Sequence, residues 1–260
     1  MIKKYQPTNE EERKFLENYD PNKYEKPSVT ADIVIFTLDE ENNLCVLLIQ
    51  RGGFPYKGKW AIPGGFVGMN EDIDTAAARE LKEETNLENI PIEQFGTFGE
   101  VNRDPRMRVI SIAYMAFVPK NSLAIQAGDD AQDAQIFKIT YENEKIVLIN
   151  NKNIIKEKNL AFDHNNILRV ALRRLRNRID YTNDAFKFLK NDQAFSIYEV
   201  KKIFETVTGT TEEPANFRRD FIRKYVNSKD NGVVVEKING TTTDHSKRGA
   251  QLYRVKEWLQ

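Results

Sequence analysis

Two apolar runs, Ala31–Leu38 and Leu44–Arg51, flank the polar pair Asn42-Asn43 and predict two strands joined by a turn. Gly52–Gly65 is dense in Gly, Pro and aromatic residues, the mark of a structured loop rather than a linker. Over residues 74–86 the period lengthens: Ala76, Ala77 and Leu81 fall on one helical face, separate from the charges. Strand-like runs return at 95–101, 108–118 and 135–139, so this half of the chain mixes sheet and helix. Asp163 then stands where an N-cap would open a basic helix from about His164 to Ile179. Helical patterns fit 182–190, 196–207 and 214–226, and the run Gly232–Ile238, the turn Asn239-Gly240 and the run Gln251–Val255 predict a terminal β-ribbon. Helices followed by a two-stranded wing is the order of a winged-helix module. The residues before the first strand are polar and predict a short helix and an extended arm. This organisation divides the chain into an arm (1–28), a mixed α/β domain (29–163) and a linker helix with a winged-helix, DNA-binding-type domain (164–260).

Composition sharpens that division. Hydrophobic residues make up 40% and aromatics 10% of the 260 residues, enough to build an ordinary buried core. The formal net charge of zero conceals an asymmetry: residues 166–260 carry 19 Lys and Arg against 12 Asp and Glu, and the residues before them 20 against 27. An acidic front and a basic rear suggest modules with different partners, although a solvated basic surface accounts for the rear equally well. The single cysteine, Cys45, lies within an apolar run and reads as a buried strand residue, not a nucleophile. The charged segment Met1–Tyr24 does not resemble a signal peptide, and no apolar run approaches the ~20 residues that span a bilayer, so the expectation is a cytoplasmic protein without a membrane partner.

The segment from Gly65 to Leu87 carries chemistry. On the predicted helix, Glu80, Glu83 and Glu84 are spaced i, i+3, i+4 and point to one side. Like charges gathered this way repel unless a positive partner neutralises them, and a hard oxygen-seeking cation, Mg2+ or Mn2+, fits. Arg79, four residues before Glu83, can pair with it. A solvated helix face is the plainer reading of a Glu cluster, but the preceding Trp60-Ala-Ile-Pro-Gly64-Gly65 permits close backbone approach of a phosphate.

This segment resembles the Nudix signature G-x5-E-x7-R-E-U-x-E-E-x-G-U, where U is a bulky aliphatic residue. Gly65, Glu71, Arg79, Glu80, Leu81, Glu83, Glu84 and Leu87 all fit its spacing. The one departure is Asn86 in place of Gly, and Asn is the next best residue for a left-handed helix end. The resemblance implies an α/β/α sandwich around a mixed sheet, and metal-assisted hydrolysis of a nucleoside diphosphate linked to a second group. It makes Glu80 and Glu84 the catalytic and strongest metal-ligand candidates, with Glu83 next, and leaves open which carboxylate takes the proton.

Further segments, Tyr24–Asp32, Gln50–Trp60, Arg103-Asp-Pro-Arg106 and Ala161-Phe-Asp-His164, look like those of the Nudix-related transcriptional regulators. Those proteins join a Nudix domain to a C-terminal winged helix and respond to ADP-ribose or related ligands. Gly128-Asp129-Asp130-Ala131 is similar to a segment of ADP-ribose-cleaving relatives. The resemblance implies ADP-ribose hydrolysis to AMP and ribose 5-phosphate or, alternatively, ligand sensing coupled to operator DNA, in a homodimer. Arg51, Gly64, Gly65, Arg79, Arg103 and Arg106 become substrate-binding candidates, with surface pairing the alternative for Arg51, Arg103 and Arg106. Arg218, Arg219 and Arg223 on a recognition helix, with Phe217, Phe221 and Ile222 inward and Lys247 and Arg248 at the wing, are the DNA-binding candidates. His164 reads as a helix-start residue or a substrate contact, His245 as a loop residue, and Trp60 and Phe54 as base-stacking or core residues.

Overall fold

The computed structural model of the protein describes residues 5–88, 90–119, 131–227, 232–243 and 249–258. Helix α1 (Glu10–Asn18) starts at Asn9, whose side chain accepts the Glu12 N–H at 2.8 Å, and buries none of its residues. Next come β1 (Ser28–Leu38), β2 (Leu44–Arg51), the short β3 (Trp60–Ala61) and β4 (Gly64–Phe66), then helix α2 (Ile73–Thr85). Strands β5 (Ile92–Phe98), β6 (Val109–Phe117), β7 (Ala131–Glu142), β8 (Lys145–Ile149) and β9 (Ile154–Lys156) complete one sheet of order β5-β6-β1-β2-β7-β8-β9, with β3 on β2 and β4 on β1. Among the described residues only the β1–β6 pairing is parallel, so the sheet is mixed.

The faces of β1 show why the sheet is covered on both sides. Ala31, Ile33 and Ile35 pack with Ala76, Ala77 and Leu81 of α2. Val34, Phe36 and Leu38 alternate with them and pack with Ile167, Leu168 and Leu172 of helix α3 (His164–Arg178). The result is the expected α/β/α sandwich. Each fully buried aliphatic or aromatic side chain of this kind contributes roughly 1.5–3 kcal/mol.

The C-terminal elements follow the winged-helix order. After α3 come a 3-10 turn (Asp184–Phe188), strand β10 (Phe195–Ser196), α4 (Ile197–Thr208), α5 (Pro214–Phe221) continuing as a π-turn to Val226, and the ribbon β11 (Val233–Thr242) and β12 (Ala250–Trp258). Ser196 and Glu199 form a reciprocal capping box at α4, and Gly209 ends it in the left-handed conformation at φ 73°. The hydrophobic cluster under α3 continues without a break into Phe186, Phe204, Phe217 and Phe221. Arg178 strengthens this junction by bonding Glu93 of β5 and Asp184 of the 3-10 turn.

Several expectations need correction. Asp163 opens α3, but its side chain caps nothing because it is bonded to Arg103. Asn239-Gly240 is not the ribbon's turn: pairing runs from Lys237↔Tyr253 to Thr241↔Gln251, so extra residues bulge out within β11 and Gly240 absorbs a φ of +126°. The pattern at 182–190 yields only the short 3-10 turn, and the strand expected at 95–101 lies at Ile92–Phe98. Strands β8, β9 and β10 were not foreseen. Cys45 is buried in β2, where burial pushes its thiol up to about 12, as its apolar neighbours require. No helix among the described residues is long and apolar enough to cross a membrane.

Candidate active site

Helix α2 is positioned at both ends by its own sequence. Asp72 accepts the Thr75 N–H at 2.8 Å, and Asn86 takes the left-handed conformation (φ 56°, ψ 21°) with its N–H on Lys82 O at 2.7 Å. Asn therefore does the work expected of the missing Gly. With the helix so placed, Glu80 and Glu84 are buried, at 8% and 6% exposure, and Glu83 is outward; all three line one cleft.

Arg79 is the hub of this acidic group. Its guanidinium donates to Glu71 at 2.8 and 3.1 Å, to Glu80 at 2.7 Å and to Glu83 at 3.0 Å. Glu71 accepts the Gly68 N–H at 2.7 Å as well, so one arginine ties the loop before α2 to the helix. The Arg79 bonds hold the Glu71 carboxyl below the ordinary carboxylate range. Burial pushes Glu80 up, against the pull of Arg79. A Cβ at Gly65 would collide with the Glu80 carboxylate, so glycine is what lets the loop pass beneath it. Among the described residues no three acidic side chains converge as a ready-made cation cage. The donor set nonetheless suits a hard cation: Glu80, Glu83 and Glu84 offer anionic oxygens only, along one wall.

The cleft measures about 990 Å3, a size suited to a small-molecule ligand. Beside the carboxylate wall lies an aromatic and cationic rim. Phe162, held at φ 50°, packs edge-on against Tyr56 at 4.8 Å, with the guanidiniums of Arg51 and Arg106 at 4.9 and 5.9 Å from its ring. Arg106 also lies 5.4 Å from the Phe66 ring and bonds Asp104 at 2.7 Å. Phe54 is 83% exposed at the mouth, whereas Trp60 is a core residue against Phe137 at 4.8 Å.

The structure thus gathers Arg51, Gly64, Gly65, Arg79, Glu80, Glu83, Glu84, Arg103 and Arg106 around one cleft. Arg103 reaches the cleft from a buried position: its side chain is 4% exposed and its Nε and Nη2 bond Asp163 at 2.6–3.1 Å. Sequence reasoning missed Thr30, Asp32 and Phe162, which also line the cleft. His164 lines it too, buried at the start of α3 and accepting the Ile62 N–H on Nδ1 at 2.8 Å. Burial lowers the pKa of His164 despite nearby Asp32 and Asp163, which keeps it neutral. The sequence held one signal for Thr30 and Asp32: polar residues on the strand face that elsewhere carries Val34 and Phe36.

The DNA-binding candidates lie elsewhere. Phe217 and Phe221 are buried and Ile222 is partly buried, as expected, while Arg218, Arg219 and Arg223 are exposed, the last two beside Asp220 at 3.7 and 3.1 Å. Lys247, Arg248, His245 and the segment Gly128-Asp129-Asp130 lie outside the described residues.

Comparisons with known proteins agree on the family. The NUDIX domain matches residues 26–156. The ADPR responsive transcriptional repressor NtrR of Acinetobacter baylyi is 34% identical over 249 residues, 94% of this chain and 88% of that protein. The ADP-ribose pyrophosphatase of Methanocaldococcus jannaschii is 38% identical over 144 residues, 52% of this chain and 81% of that enzyme. Among solved structures, a MutT/nudix family protein from Enterococcus faecalis superposes with a TM-score of 0.76 at 28% identity, covering 95% of this chain and 93% of its own.

Proposed function

The chain belongs to the NUDIX domain family, and on that premise we propose that it hydrolyses the diphosphate of ADP-ribose or a closely related nucleoside diphosphate derivative with Mg2+ or Mn2+. The observation that carries this reading is the cleft itself, where a wall of Glu80, Glu83 and Glu84 stands with an aromatic and arginine rim. Glu80, Glu84 and Glu83 would hold the cation, which supplies charge neutralisation of the diphosphate and an acidified water. Arg79 keeps Glu80 and Glu83 in place and anchors the loop through Glu71. Phe54, Phe66 and Phe162 offer flat apolar surface to a base, with Arg51 and Arg106 beside it for stacking or phosphate contact. The absence of a side chain at Gly64 and Gly65 lets the loop pack directly against the carboxylates of Asp32 and Glu80 on the cleft wall.

The test is turnover across a substrate panel with Mg2+. ADP-ribose should give AMP and ribose 5-phosphate faster than any nucleoside triphosphate is cleaved. A far better rate with an oxidised purine triphosphate would sink this reading in favour of a house-cleaning enzyme.

A second reading is supported by the likeness to NtrR over 94% of the chain, which includes the winged-helix elements. Under it, residues 29–163 sense ADP-ribose and residues 164–260 bind operator DNA through Arg218, Arg219 and Arg223, in a homodimer. The two readings are compatible in one molecule. A gel shift on its own upstream duplex, with and without ADP-ribose, tests the second; no shift in either condition removes it.

A further inference from the structure

We infer that Thr30, Asp32, Arg103 and His164 form a subsite on the cleft floor for the vicinal hydroxyls of a ribose. The inference rests on the reading that the cleft takes a nucleoside diphosphate derivative, and it names which part of that ligand these residues hold.

The starting point is the pattern of β1. Positions 34, 36 and 38 carry Val, Phe and Leu into the core beneath α3. Positions 30 and 32 continue the same face, yet carry Thr and Asp, which are 9% and 6% exposed and line the cleft. Polar groups this deeply buried are costly unless they are hydrogen-bonded. Here the protein satisfies them only in part. Oδ2 of Asp32 accepts from the Ser111 hydroxyl, and Arg103 Nη2 lies 3.6 Å from Oδ2, beyond hydrogen-bond length. None of the described hydrogen bonds reaches Asp32 Oδ1. The buried Thr30 hydroxyl has no hydrogen-bond partner.

Two donors share the floor. Arg103 commits Nε and Nη2 to Asp163, and none of its described bonds uses Nη1. His164 accepts the Ile62 N–H on Nδ1, so its ring proton sits on Nε2 and can be donated. The unused capacity is therefore mixed: donors at Arg103 and His164, an acceptor at Asp32, and either at Thr30.

That mixture discriminates between ligand groups. A phosphate only accepts, and the Asp32 carboxylate would repel it. An aromatic base would leave the buried charges unmatched. A vicinal diol donates to a carboxylate while accepting from a guanidinium and an imidazole, and its two adjacent hydroxyls match the mixed set that these four residues offer.

ADP-ribose contains two ribose rings, and the experiment separates them. Affinities for ADP-ribose, ADP and 2′,3′-dideoxy-ADP are measured by calorimetry, with Ca2+ replacing Mg2+ to suppress turnover, for wild type, Thr30→Val and Asp32→Asn. Thr30→Val removes a hydroxyl that the fold does not use, so its melting temperature should hold or rise while ribose affinity falls about fivefold to tenfold. Asp32→Asn should weaken binding by about tenfold or more. Loss for ADP-ribose alone assigns the subsite to the terminal ribose. Loss for ADP-ribose and ADP, with dideoxy-ADP unaffected, assigns it to the adenosine ribose. Unchanged affinity in both variants, or an equal loss for dideoxy-ADP, overturns the subsite while the functional reading stands. Failure of wild type to bind ADP-ribose at all overturns both.

Discussion

Helices α2 and α5 each set charges on one face and apolar residues on the other, but they use the charges in opposite ways. On α2, Arg79 bonds Glu71, Glu80 and Glu83, and Arg79 lines a cleft together with Glu80 and Glu83. On α5 and the turn after it, Arg218, Arg219 and Arg223 stand exposed, the last two beside Asp220. The first arrangement is preorganised but keeps an excess of negative charge, one guanidinium against three carboxylates with Glu84 beside them, suited to a cation and a small ligand bearing localised charge. The second leaves its cationic side chains in solvent, the arrangement on which the DNA-binding reading depends. A residue type therefore says little until its partners are known: one arginine is structural cement and three others are surface.

The largest effect expected is on catalysis. Glu84→Gln should lower kcat on ADP-ribose by about 100-fold or more, roughly 2.7 kcal/mol, while the thermal melt stays close to wild type. Activity within about threefold of wild type would show that the carboxylate wall of α2 is not the reactive one.

Next comes Arg79→Gln, which removes the common partner of three carboxylates. Because Arg79 is about one-third exposed, solvent screening limits the loss to about 1–2 kcal/mol, read by thermal or urea unfolding. Its pH dependence follows from two opposite shifts. Glu71, held below its ordinary 4.5, stabilises the fold above that value and loses this contribution as pH falls through its folded pKa. Glu80, pushed above 4.5 by burial, is best tolerated at low pH, and its stability contribution is lost as pH rises through its folded pKa. Removing Arg79 withdraws the favourable pairing of the first and worsens the cost of the second. The stability gap between wild type and variant should thus be widest near neutral pH and close as pH falls through the lowered folded pKa of Glu71; a gap independent of pH would refute the hub.

On the other side of the comparison, Arg218→Ala with Arg219→Ala should flatten the log–log salt dependence of DNA binding by about 0.9 per lost phosphate contact. An unchanged slope would remove this helix from the interface. The smallest effect belongs to Asn86→Gly, which relieves a left-handed non-glycine residue and should shift stability by less than about 1 kcal/mol, in the favourable direction, with turnover unchanged.

Local patterns made much of this legible. The i, i+3, i+4 spacing of Glu80, Glu83 and Glu84, the helix end at Asn86 and the apolar run of β1 are written in contiguous residues, because helix and strand periods are properties of neighbouring positions. The inward side of α5 was legible for the same reason, as were the helix-then-ribbon order and the separation of charge between front and rear. What no local window contains is the company a side chain keeps across the fold. Arg103 meets Asp163 from 60 positions away, and Ile62 meets His164 from 102. Arg103 reads locally as a substrate contact or a surface pairing residue and Asp163 as a helix cap, and the fold pairs each with the other. Thr30 and Asp32 gave a faint signal as polar residues in an apolar strand, but nothing local tells a solvent-facing position from a cleft floor. The sequence by itself determined the helix that carries the carboxylates and the residues able to bind. Only the tertiary structure decided which charges are already spent on one another and which remain for a ligand, because that depends on strand order and helix placement, which no single segment encodes.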